Sequence, residues 1–154
     1  MNEKGLSPIV TTILLIALTI VIIAIIFLWF RGMVSEGVTK FGKNIQLVCG
    51  DVVFEVSYDS GTLSVVNSGN IPLYSLDIKM AGDGGYQTKS IRDFNSADSW
   101  PSSGLKQGSA FSANIGPEMA SPTELQIFPV LIGTSTSGKK TFTCGGQYGQ
   151  KLTL

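Results

Sequence analysis

From Ile9 to Phe30 the chain runs for 22 residues with Thr11, Thr12 and Thr19 as its only polar side chains, and no charged residue lies between Lys4 and Arg31. As a helix this stretch is about 33 Å long, enough to cross a hydrocarbon core of roughly 30 Å. Apolar residues fall on every helical face, so the segment is not a surface helix with one buried stripe. Its surroundings must be apolar on all sides, as in lipid or at the centre of a helical bundle. The β-branched run from Thr19 to Ile23 lowers helix propensity in water, but in lipid a spanning segment must satisfy its own backbone. A cleavable secretion signal has a shorter apolar region, about 7 to 15 residues, followed by small residues. Here the far side reads Leu28-Trp29-Phe30-Arg31, an aromatic ring and a cation suited to a membrane boundary. The basic flanks do not orient the span, because Lys4 is matched by Arg31, Lys40 and Lys43.

Helical spacing continues past the boundary. Val34, Val38, Phe41 and Ile45 follow one another in steps of four, three and four, and Glu36 to Lys40 is a favourable pair on one face. The expectation is a helix over residues 6–45, weakened by Gly32, Gly37 and Gly42, whose apolar stripe packs either on the chain's own second domain or on other subunits.

Beyond Gln46 the apolar period changes to two. Val52, Phe54, Val56 and Tyr58 alternate with Val53, Glu55 and Ser57 before a turn at Asp59-Ser60-Gly61, and further strands are expected around Leu76 to Met80, Phe111 to Ile115, Leu125 to Ile132 and Thr141 to Cys144. Seven or so short strands separated by turns predict an antiparallel β-sandwich over 46–154, and the fold class is α+β. Trp100 beside Pro101 is a loop anchor or, with Tyr86, a surface contact residue.

There is no histidine, and net charge is zero without a basic concentration of the kind nucleic acids require. An enzyme is not expected, and no cofactor or metal site is assigned. Asp51, Asp59, Asp83, Asp93 and Asp98 fall in or beside turns and read as solvated loop residues, a Ca²⁺ site being the alternative. Cys49 and Cys144 flank the β region and are either two buried thiols or, preferred, a disulfide that places the domain outside the cytoplasm with the N-terminus inside.

The order of these parts, a short leader ending in Glu3-Lys4-Gly5, then Leu6-Ser7-Pro8-Ile9-Val10, an unbroken apolar helix and a β domain, resembles the archaeal type IV pilins and their flagellin-like relatives. The specific motif covers about Lys4 to Val10. The resemblance implies removal of residues 1–5 by a prepilin peptidase, with Lys4 and Gly5 on the recognition side and Leu6 as the new first residue. It further implies a helical homopolymer whose core contains Pro8, Ile9, Leu14, Leu15, Ile16, Leu18, Ile22, Ile26, Trp29 and Phe30, built by pilus assembly machinery from a membrane-held precursor. The head would then be an immunoglobulin-like sandwich on the outside of an adhesive filament. The other readings are a motility-filament subunit and a single-pass membrane protein with an extracellular binding domain. Bacterial type IV pilins carry a glutamate early in the mature helix, and no acid occurs here from Leu6 to Met33, so assembly would rest on packing.

Overall fold

The computed structural model describes residues 8–33 and 38–154, which belong to two separate compact units: an apolar helix and an antiparallel β-rich head. The α+β class holds. The helix, α1, covers Pro8–Met33. Pro8 suits its first turn, where a missing N–H removes no intrahelical bond. The hydroxyls of Thr12 and Thr19 donate to the carbonyls of Ile9 and Ile16 at 2.9 and 2.8 Å, so these two polar groups are satisfied within the helix.

The expected helix over 6–45 is corrected at its C-terminal end. Thr39–Lys40 (β1) and Lys43–Asn44 (β2) form a two-residue-loop hairpin, followed by one helical turn, α2 (Ile45–Val48). Phe41 and Gly42 in the loop have φ of 53° and 74°, the left-handed pair that a tight hairpin turn demands and an α-helix forbids. The apolar spacing was ambiguous because a hairpin also brings Val38 and Ile45 together: the Ile45 N–H donates to the Val38 carbonyl at 3.0 Å. Val34 and the Glu36 end of the proposed pair lie outside the described residues.

The remaining strands are β3 (Glu55–Asp59), β4 (Thr62–Val66), β5 (Ser75–Gly82), β6 (Gly85–Ser90), β7 (Ala110–Asn114), β8 (Glu124–Ser135), β9 (Gly138–Thr143) and β10 (Gln150–Thr153). The smaller sheet is β3-β4-β7; in the larger, β8 is the spine. Along one edge of β8 lie β5 and then β1, and along the other β10 and then β9. Pro129 sits where β10 gives way to β9. Its carbonyl accepts from the Cys144 N–H at 2.9 Å, so the edge on which its own N–H is missing is the one with the break in pairing.

Alternation along the strands decides what the sheets bury. Leu63, Val65 and Phe111 from the smaller sheet join Leu76, Ile78 and Ile127 from the larger in one hydrophobic core. The polar loop from Arg92 to Gly104 closes over part of it. Trp100 is buried there, its ring edge-on to Phe111 at 4.9 Å and its Nε1–H donating to the Tyr74 carbonyl at 2.9 Å, which makes it a loop anchor. Buried Asn67 donates from Nδ2 to the carbonyls of Ile71 and Leu105, both at 2.9 Å, and its Oδ1 accepts from the Gly69 N–H, so it fixes the crossing between β4 and β5.

Candidate functional site

The feature most in need of a partner is α1. None of residues 8–30 is buried by the chain itself, and this includes Pro8, Ile9, Leu14, Leu15, Ile16, Leu18, Ile22, Ile26, Trp29 and Phe30. Even Val10, the best covered of its large apolar side chains, is 45% exposed. Seventeen such side chains stand between Ile9 and Phe30. Each is worth about 1.5–3 kcal/mol when taken from full exposure to full burial, and because the helix itself already covers close to half of each, covering the remainder is worth on the order of 20 kcal/mol. That exceeds the net stability of an ordinary domain, about 5–15 kcal/mol. It is the one helix among the described residues long and apolar enough to cross a membrane. From Ile9 to Leu28 the only polar side chains are three threonines, so this part of the helix offers van der Waals packing, which works equally against lipid chains and against other such helices. Lys4, Gly5 and Leu6 lie outside the described residues.

The head begins with the β1–β2 hairpin, and this element is docked rather than loose. Ile45, the first residue of α2, is fully buried and Val38, just before β1, packs partly buried against the core, so both flank a hairpin instead of lying on the expected helix. Phe41, expected in the same stripe, is instead 69% exposed at the hairpin tip. Lys40 donates from Nζ to the Ile132 carbonyl at 2.8 Å, and burial lowers its pKa from the ordinary lysine value. Gly133 makes the docking possible: a Cβ there would stand 2.7 Å from both the Thr39 carbonyl oxygen and Val38 Cγ1. A glycine directly after the apolar run Val130 to Ile132, where a strand was expected, was the available sequence signal of such a close approach.

Cys49, just after α2, and Cys144, just after β9, are joined in a disulfide with Cα atoms 5.7 Å apart. It ties the start of the head to the strand beside β8. Farther along, Glu118 gathers the loop that carries Trp100. Its carboxylate accepts from the Ser96 N–H and hydroxyl, both at 2.8 Å, from the Asn95 N–H at 3.1 Å and from Lys89 at 3.3 Å. These bonds, the Ser96 N–H foremost, hold its pKa down to about 2. The role of Glu118 was not legible in sequence, because its partners come from 22 to 29 residues away.

The five turn aspartates are exposed, and among the described residues no three His, Cys, Asp or Glu side chains come together as metal ligands. Tyr86 is 73% exposed with the Lys79 ammonium 4.2 Å from its ring centroid. No protein-family model, curated protein or solved structure matches the chain.

Proposed function

We propose that the chain is a structural subunit of a surface filament of the archaeal type IV pilus kind, held in the cytoplasmic membrane by α1 before assembly and packed through α1 into the filament core afterwards. The observation that carries the reading is the helix apolar on every face and covered on none. Exchange of lipid for neighbouring copies of the same helix leaves its apolar surface buried throughout and incurs no large hydrophobic penalty. One heterologous contact repeated without closure produces a filament. In this reading Lys4 and Gly5 form the peptidase recognition side, Leu6 begins the mature chain, and the partners are identical copies, the membrane, the peptidase and the assembly machinery. The head, proposed as an immunoglobulin-like sandwich with its disulfide, coats the outside and serves adhesion.

The head's architecture suits a subunit pulled through its N-terminal segment. Tension along the chain enters the head at β1, where the Lys40 to Ile132 bond and the buried Ile45 engage β8, and the Cys49–Cys144 bridge stops further peeling at a covalent link. Electron microscopy of material sheared from cells, with an antibody against the head, tests the proposal. Long labelled filaments are expected; label confined to membrane fragments would overturn it in favour of a single-pass membrane protein.

A further inference from the structure

The hairpin tip Lys40-Phe41-Gly42-Lys43 violates three local rules at once. A bulky phenylalanine holds φ of 53° at the first loop position of a turn that favours Asn, Asp or Gly. Its ring is one of the most exposed apolar groups of the head. Lys40 and Lys43 are direct cross-strand partners, a like-charge pairing that opposes hairpin formation. Rule-breaking of this kind, concentrated at four successive residues, points to a function outside the fold.

The surroundings say what kind. Gly133 on β8 is followed by Thr134, the partner of Thr39, and pairs on its other edge with Lys140, so the β1–β2 hairpin and the β8–β9 hairpin carrying Lys139 and Lys140 share one end of the larger sheet. From residue 38 to 50 and from 125 to 154 the chain has no acidic residue, the nine acids of the head all falling within 51–124. One carboxylate, Asp51, borders the same hollow as Phe41 and Lys43. Because β1 runs antiparallel to β8, the β1–β2 loop is directed back along β8, so the exposed ring of Phe41 and the lysines of β9 flank the same stretch of β8 from its two edges; this pairing of charged and aromatic side chains suits a membrane interface. Phe41 stands eight residues after Met33, the end of α1, and eight residues of extended chain span at most about 29 Å.

We propose that this face of the head docks on an anionic lipid surface, with Phe41 set at the headgroup boundary and Lys43 and Lys139 on lipid phosphates, while the subunit waits in the membrane. The proposal rests on the reading that α1 spans the bilayer before assembly. Docking would hold the waiting head in one orientation and would be given up when the subunit leaves the membrane.

The test uses the full chain reconstituted in vesicles with brominated acyl chains, comparing Phe41→Trp with the parent. Trp29 reports α1 and buried Trp100 is a constant background. Bromolipid is expected to quench the added tryptophan about twofold in phosphatidylglycerol-containing vesicles, and less in pure phosphatidylcholine, in high salt, or with Lys43→Gln and Lys139→Gln. A second variant, Phe41→Asn, separates docking from folding: head melting temperature should hold or rise, because Asn-Gly suits the turn, while hydrogen-exchange protection of the tip by anionic vesicles is lost. An added tryptophan open to aqueous quencher in both lipids, with Trp29 quenched by bromolipid, overturns the docking and leaves the span intact. Trp29 unquenched overturns both. Quenching independent of lipid charge, or protection that grows with protein density and crosslinks copies, also overturns it, the latter in favour of a second chain as the partner.

Discussion

Loss of the Cys49–Cys144 bridge tests how the head is stabilised. The link closes a loop of 95 residues. The chain-entropy treatment gives about 16 cal/mol/K for such a closure, or about 4.7 kcal/mol at 25 °C, as the stabilisation obtained by restricting the unfolded state. Both cysteines are buried, so Cys49→Ala with Cys144→Ala also leaves small voids, which adds to the loss. The double variant, solubilised in detergent on a Trp29→Phe background, is unfolded in guanidinium with buried Trp100 as the probe. For a domain of this size the slope is about 2–5 kcal/mol per molar, so the midpoint should fall by about 1–2 M. Each single variant should fall about as far as the double, because either one opens the loop. A midpoint that moves by less than a tenth of that amount would refute the reasoning, since the ends of the loop would then be restrained equally well without the bridge.

Other consequences are smaller or more local. Asn67→Ala removes three hydrogen bonds and leaves the Gly69 N–H and the Ile71 carbonyl buried without that partner. A loss of about 2–4 kcal/mol is expected, read as a fall of about 10–20 °C in the melting temperature of the head. Glu118 has a folded pKa of about 2 against an ordinary 4.5, so its contribution is fully present above about pH 4.5 and is lost as pH falls toward 2. The melting temperature of the parent should therefore fall more steeply than that of Glu118→Gln across this window, and the two curves should converge near its acid end. Leu18→Lys places a charge near the middle of the span at about 2.5–3.5 kcal/mol, too little to expel a helix this apolar from the membrane. Carbonate extraction should still find the variant in membranes, while sheared filaments disappear because every copy would bring the same unpaired charge into the core.

The sequence disclosed what periodicity can disclose. Alternation at Leu76, Ile78 and Met80 and at Phe111, Ala113 and Ile115 placed inward-facing residues correctly, because a pleated strand with one buried face has no other register. The preferred pairing of Cys49 with Cys144 is present. The segment from Val38 to Ile45 misled, because steps of three and four fit a helix and also fit two strands joined at Phe41-Gly42. Deciding between them takes the long-range packing of Ile45, Val38 and Gly133, which no local window contains. The uneven division into a seven-stranded and a three-stranded sheet was hidden for a related reason: β8 is long enough to pair with two strands along each edge, and strand counting says nothing of that. In the candidate functional region, α1 was plain from composition, whereas the exposed Phe41 and the gathering of lysines from two hairpins depend on a register set by contacts nearly a hundred residues apart.

The central claim is that one helix occupies two apolar environments in succession, membrane and then filament core. The most direct test is the N-terminal residue of the chain, determined by mass spectrometry separately in the membrane fraction and in sheared filaments after a pulse of synthesis. The account predicts that label appears first in membranes, including chains that still begin at Met1, and later in filaments whose subunits begin at Leu6. Filament subunits that retain Met1, or labelled chains that never leave the membrane fraction, would contradict it.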